Sequence, residues 1–143
     1  MYKINEIAPD VYRISVFAPD MQLQFNHFLI KDDEPLLYHA GLKQMFPILL
    51  EAVKTLIDPR LIRWIGFSHF EVDECGALNE WLRAAPHAQA VCSEVGTIVN
   101  MSDFAVRPAR PMKTGGFVRY RQTQVQVYSY AASATWLGRR RHV

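Results

Sequence analysis

An imidazole and two carboxylates fall at every second position of the segment Ser68-His69-Phe70-Glu71-Val72-Asp73-Glu74-Cys75-Gly76, directly after the apolar run 61–67. Side chains of extended backbone repeat with period two, so His69, Glu71 and Asp73 can all turn toward one cavity. Mixed nitrogen and oxygen donors suit iron, manganese or zinc rather than a thiolate-bound metal. The segment reads as the ligand loop of a metal site. The blander alternative is a polar loop after a strand, with Asp73 capping a helix that starts near Cys75.

A ligand loop must be held by elements on both sides, and the flanking sequence supplies them. Residues 11–17 alternate as a strand should, after a turn at Pro9-Asp10. Residues 22–31 and 35–39 read as the arms of a hairpin around Asp32-Asp33-Glu34. Pro47 suits a first helical turn, and apolar positions 46, 49, 50, 53, 56 and 57 keep helical spacing up to Asp58-Pro59. Residues 61–67 form a short strand buried on both faces. Past the loop, 77–83 is a second helix ending before Pro86, 90–92 a strand and 94–100 a third helix. The order β-β-β-α-β-loop-α-β-α predicts a layered α/β domain.

Other polar residues near the loop have ordinary explanations. Glu74 reads as a solvated first-turn carboxylate favoured by the helix dipole, and stands outside the site. His39 reads as a hydrogen-bonded buried histidine, and His27 as a residue of the hairpin surface or the site mouth with no role. Cys75 would sense redox state only with a depressed pKa; a small buried hydrophobe is the commoner fate, and Cys92 lies in an apolar strand. Gly76 either lets the helix approach closely or relaxes the turn.

At 143 residues the chain is one domain's worth, long enough for a core. It is half hydrophobic and 21% charged, which excludes a disordered chain. The sequence has neither a span long enough for a bilayer nor a signal-peptide pattern, so no membrane partner is expected. Two cysteines make no disulfide framework, and a cytoplasmic location follows. The net charge of +2 is local: five arginines and no acidic residue lie in 117–143, leaving 11 basic against 14 acidic residues elsewhere. The body therefore offers nucleic acid no basic face.

The composition divides the chain into residues 1–116 and an atypical basic tail, 117–143, which has two readings. In the first it is a surface tail, with 122–130 as one extra strand. In the second it is a shifted reading frame beginning near Gly115-Gly116. Codons permitted for 130–143, advanced by one base, spell T-P-H-L-P-H-G-W-D-A-G-V-M, and the shifted glycine is forced by Trp136-Leu137. Continued backwards, the shifted text contains a D-T-G turn and restores acidic residues.

Three pieces carry a family resemblance: Asn26-His27-Phe28-Leu29-Ile30-Lys31-Asp32, Leu36-Leu37-Tyr38-His39-Ala40-Gly41, and residues 67–76. Residues 1 to about 105 resemble the N-terminal half of a metallo-β-lactamase-fold domain. The likeness is to the diiron branch, which comprises the lactamase-like domain of flavodiiron proteins and stand-alone oxygen-binding diiron proteins. The hydrolases of that superfamily use H-x-H-x-D-H in this loop and the flavodiiron family H-x-E-x-D-H; Glu71 favours the latter. The resemblance implies half of an αββα sandwich and a cofactor of two iron ions, with His69 and Glu71 on one iron and Asp73 on the other. It departs at Glu74, where the motif has its second histidine, and the family's later ligands belong to the C-terminal half.

Three functions follow as expectations. One is a diiron protein that binds or reduces dioxygen or nitric oxide, with electrons from a separate redox partner. The second is a zinc-dependent hydrolase of the same fold, against which Glu71 argues. The third is a non-catalytic fragment whose uncovered sheet face and open edge favour association with another chain, a second copy included.

Overall fold

The computed structural model describes residues 1–113 with their side chains, together with the backbone of 117–120, 123–130 and 133–140. Seven strands form one mixed sheet in sequence order: β1 Tyr2–Ala8, β2 Val11–Ala18, β3 Leu23–Ile30, β4 Leu36–Tyr38, β5 Trp64–Gly66, β6 Gln89–Ser93 and β7 Arg110–Met112. β1 to β4 pair antiparallel through short turns, and β4 to β7 pair parallel. Parallel neighbours need crossovers, and helices make them. α1 (Phe46–Lys54) links β4 to β5. α2 (Val72–Cys75) and α3 (Leu78–Ala84) link β5 to β6. A helical run of α4 (Glu94–Gly96), a π-type stretch (Thr97–Met101) and α5 (Ser102–Phe104) links β6 to β7. This is the expected α/β class.

The expected elements are present with shifted ends. The hairpin of β3 and β4 sits where the sequence places it, with Phe28 opposite Tyr38 and Ile30 opposite Leu36. α1 stops at Lys54 rather than near residue 57, because the Thr55 hydroxyl donates to the Ala52 carbonyl (2.7 Å) and the chain turns there. β5 shrinks to three buried residues because Asp58 accepts from the Arg60 N–H and closes a 3-10 turn over Pro59–Leu61. Two edge strands went unread. β1 mixes Asn5 and Glu6 into its pattern and buries no residue fully, and β7 contains Pro111, which an edge tolerates.

The tail reading of one strand at 122–130 is met by backbone strand β9 (Thr123–Tyr130), flanked by β8 (Phe117–Tyr120) and β10 (Ser133–Arg140) in an antiparallel three-stranded sheet. Gly115-Gly116, where the frame shift is placed, lies outside the described residues.

The main core lies between the sheet and helices α1 and α3. Leu49, Ala52 and Val53 of α1 and Leu78, Trp81 and Leu82 of α3 meet Ile14, Leu29, Leu37 and Ile65 of the sheet. Trp81 is fully buried, its ring edge-on to Phe46 (5.1 Å between centroids), and its indole N–H donates to the Ala40 carbonyl at 2.9 Å. One side chain thus joins α3 to the loop after β4. Trp81→Ala is expected to cost about 3–5 kcal/mol through the cavity alone. Trp81→Phe, which mainly strands the Ala40 carbonyl, should cost about 1–3 kcal/mol. Urea denaturation at neutral pH checks both, and an unchanged midpoint for Trp81→Phe would show that the hydrogen bond contributes nothing.

Candidate metal loop

Because β4 and β5 are parallel neighbours, the loops leaving their carboxyl ends emerge side by side, at the point where the sheet changes from antiparallel to parallel. Backbone hydrogen bonds then tie the two loops together. His39 N–H donates to Gly66 C=O (2.8 Å), Ala40 N–H to Glu74 C=O (2.6 Å) and Ala77 N–H to Gly41 C=O (2.8 Å).

The crossing demands unusual backbone. His39 sits at φ +65° and Gly41 at φ +85°, the left-handed region that glycine adopts freely and histidine does not. A Cβ on Gly41 would lie 2.7 Å from Leu49 Cδ1 and 2.9 Å from His27 Cε1. Gly76 is helical at φ −57°, and a Cβ there would collide with the Val72 carbonyl. Close approach, not turn flexibility, is what position 76 requires.

The expected extended run is not there: residues 68–70 bend, and Glu71 lies in extended backbone at φ −123°, ψ 147°. Its carbonyl accepts from the N–H groups of Glu74 (3.0 Å) and Cys75 (2.9 Å), and α2 begins at Val72. Asp73 is therefore a first-turn helical residue rather than the cap, and the period-two alternation does not hold across residues 68–73. Glu71 is exposed, Asp73 half-buried, and the His69 side chain 43% exposed. Among the described residues no three His, Cys, Asp or Glu side chains gather to hold a metal ion. His69, Glu71 and Asp73 share one loop without converging on one point, so the described residues do not fit a two-iron centre.

What the loop does close on is Glu74, which is a correction to its reading as a solvated carboxylate. Its side chain is 12% exposed and points back into the loop. Oε2 accepts from the N–H of Ser68 (2.8 Å) and of His69 (2.6 Å), and lies 3.4 Å from His39 Nε2. Oε1 accepts from the Ser68 hydroxyl (3.1 Å) and lies 3.4 Å from His69 Nδ1. Burial alone would push this carboxyl up, but the His69 N–H, the His39 imidazole and the Ser68 and His69 side chains together hold it below its ordinary value. Hydrogen bonds to a charged acceptor are each worth about 1.5–3 kcal/mol. Several of them outweigh partial desolvation, so Glu74 stays ionised.

His39 is half-buried, with Nε2 3.0 Å from the Ser68 hydroxyl and its ring stacked on Tyr38 (4.4 Å). Burial lowers its pKa, against the pull of Glu74. His27 is not on the hairpin surface. It is 1% exposed in β3, its Nδ1–H donates to the His39 carbonyl (3.0 Å), and its Nε2 has no partner. The hairpin register explains the error: His27 pairs with Ile14, a fully buried position, and shares its face. Cys75 is buried, its thiol donates to the Glu71 carbonyl (3.1 Å), and burial, Glu74 and Asp73 push it up to about 12. It is a core thiol rather than a redox sensor.

This architecture defines the class. Solved metallo-β-lactamase-fold proteins superpose on the chain along nearly its whole length. Rubredoxin oxygen:oxidoreductase from Desulfovibrio gigas has a TM-score of 0.78 at 20% identity, covering 88% of this chain and 35% of that one. A flavoprotein from Thermotoga maritima gives 0.77 at 18%, covering 96% and 40%. A subclass B3 metallo-β-lactamase described by its active-site glutamic acid gives 0.78 at 21%, covering 97% and 57%. The model of the ODP family beta lactamase matches residues 23–128, and the chain belongs to that family. Among curated proteins, the flavo-diiron protein FprA2 of Clostridium acetobutylicum is 22% identical over 92% of this chain. The putative diflavin flavoprotein A 2 of a Nostoc species is 31% identical over 50% of it. The chain spans 36% of the length of the first and 12% of the second. The resemblance to the first half of a diiron-branch domain stands.

Burial of neutral His27 has a pH signature. Its pKa falls to about 4, with desolvation the largest cause. The unfolded chain therefore binds the extra proton first as pH falls below about 6.5. Stability should be unaffected above that pH and decline between about 6.5 and about 4, by about 3 kcal/mol when complete. Thermal melts at pH 7 and pH 5 check this. If His27→Gln keeps the same pH slope as the parent, the slope does not come from His27.

Proposed function

We propose that the chain is the N-terminal part of a flavodiiron-type lactamase-like domain. In this reading His69, Glu71 and Asp73 are metal ligands that need further ligands from outside the described residues. The observation that carries it is the position of all three in the segment between β5 and the end of α2, in a fold shared with a flavo di-iron protein from Thermotoga maritima. His69 turns Nδ1 toward Glu74 and keeps Nε2 clear of it, the arrangement in which an imidazole is oriented to ligate through its second nitrogen. Imidazole and carboxylate donors suit iron, and the gas handled is dioxygen or nitric oxide, with electrons delivered by a separate redox partner. A cytoplasmic setting agrees with two free, buried cysteines. Among the described residues no helix is long and apolar enough to cross a membrane.

In the same reading the domain part ends at residue 116 and 117–143 is a separate basic tail. The family match runs twelve residues past that boundary, to 128, so the frame of the tail needs its own test. Resequencing codons 112–120 decides it.

Anaerobic loading with ferrous iron, followed by desalting and metal analysis, tests the ligand assignment. The purified chain should retain iron above the level of His69→Ala and Glu71→Ala variants. Preferential retention of zinc, with hydrolysis of simple esters, would favour the hydrolase reading. Equal, negligible metal in all three proteins would leave the chain a non-catalytic fragment.

A further inference from the structure

The residue that departs from the diiron motif has taken up another task. We propose that Glu74 holds the loop from Ser68 to Glu71 in its folded shape without any metal. Two consecutive backbone N–H groups, those of Ser68 and His69, converge on one carboxylate oxygen at 2.8 and 2.6 Å. Successive N–H groups aimed at one point form an anion-binding concavity, and here the anion is the protein's own side chain. The other oxygen takes the Ser68 hydroxyl (3.1 Å) and faces His69 Nδ1 (3.4 Å). The first oxygen also approaches Nε2 of His39 (3.4 Å), which belongs to the neighbouring loop. The main chain of the same residue completes the clasp, for Glu74 C=O accepts from Ala40 N–H at 2.6 Å.

Each oxygen of Glu74 thus has at least two neighbours of its own. A histidine at this position could not do the same, because an imidazole offers at most one acceptor nitrogen to two N–H donors. The substitution exchanges a potential ligand for a strut. Glu74 is a positioning residue: it orders the loop and sets the ring of His69, touching no metal. This holds whether or not iron binds to His69.

Amide hydrogen exchange on metal-free protein, prepared with a chelator, tests the proposal. The Ser68 and His69 amides should be protected, and chelator should change neither their protection nor the melting temperature. Glu74→Gln keeps the shape but loses the charge and one acceptor oxygen. It should lower protection at these two amides by about tenfold or more, while the amides of β2 and β3 keep theirs. Glu74→Asp, one methylene shorter, should behave likewise. Protection in the parent that appears only with added ferrous or zinc ion would overturn the proposal, as would unchanged protection in Glu74→Gln. Because the first comparison needs no variant, a substitution that fails to fold leaves the proposal testable. Metal retention by the parent bears on the ligand reading alone, so the two can fail separately.

Discussion

The pairing of β4 with β5 continues beyond the strands as hydrogen bonds between the loops that leave them, and the site depends on this continuation. His39 N–H to Gly66 C=O is the last rung of the ladder; Ala40 to Glu74 and Ala77 to Gly41 carry it across irregular backbone. Such a crossing buries polar groups that must all be paired. The chain meets this with an αL histidine, an αL glycine, and a second glycine where a Cβ would strike a carbonyl. The indole N–H of Trp81 takes the Ala40 carbonyl from below. Any substitution that separates the two loops therefore affects both the core packing of α3 and the placement of His69.

Electrostatics at the crossing follow from the same geometry. Three histidines lie near one another, two of them buried or half-buried, and burial lowers the pKa of both His27 and His39. Glu74 is set among them, and its charge is stabilised first by the His69 N–H, then by the His39 imidazole and the Ser68 and His69 side chains. A carboxylate fixed by main-chain N–H groups keeps its position independently of any metal. Asp73, one residue earlier, is held by none of these N–H groups, although its charge also reaches His27 and His39. Helix geometry turns the two side chains about 100° apart, and Glu74 is the one that reaches the Ser68 and His69 N–H groups.

The sequence revealed the elements with strong periodicity and missed those whose pattern is set by tertiary position. The hairpin, α1, α3 and β6 were legible because apolar spacing and turn residues agreed with the final structure. β1 and β7 were not, because edge strands bury too little to need clean alternation. At the site, the loop and its ligand-type residues were readable, while the role of Glu74 was hidden. A first-turn glutamate is ordinarily solvated, and only the folded loop brings the Ser68 and His69 N–H groups within its reach. One signal was available: Glu74 stands at the position where the family motif has a histidine, and a charge at a site position calls for a partner. For His27 the signal was its register, since a residue opposite Ile14 on the same sheet face shares its burial.

Fold and metal chemistry are separable in this chain for a physical reason. In a site whose loops are held only by a metal, losing the ligands or the ion releases the loops and exposes unpaired backbone. Here main-chain hydrogen bonds join the two loops, and one carboxylate neutralises the N–H donors left at the turn. These bonds hold the loop through the chain's own donors and acceptors. Substitution of the motif's second histidine by glutamate is therefore compatible with retention of the fold: the acceptor it supplies satisfies the donors that the loop geometry itself creates.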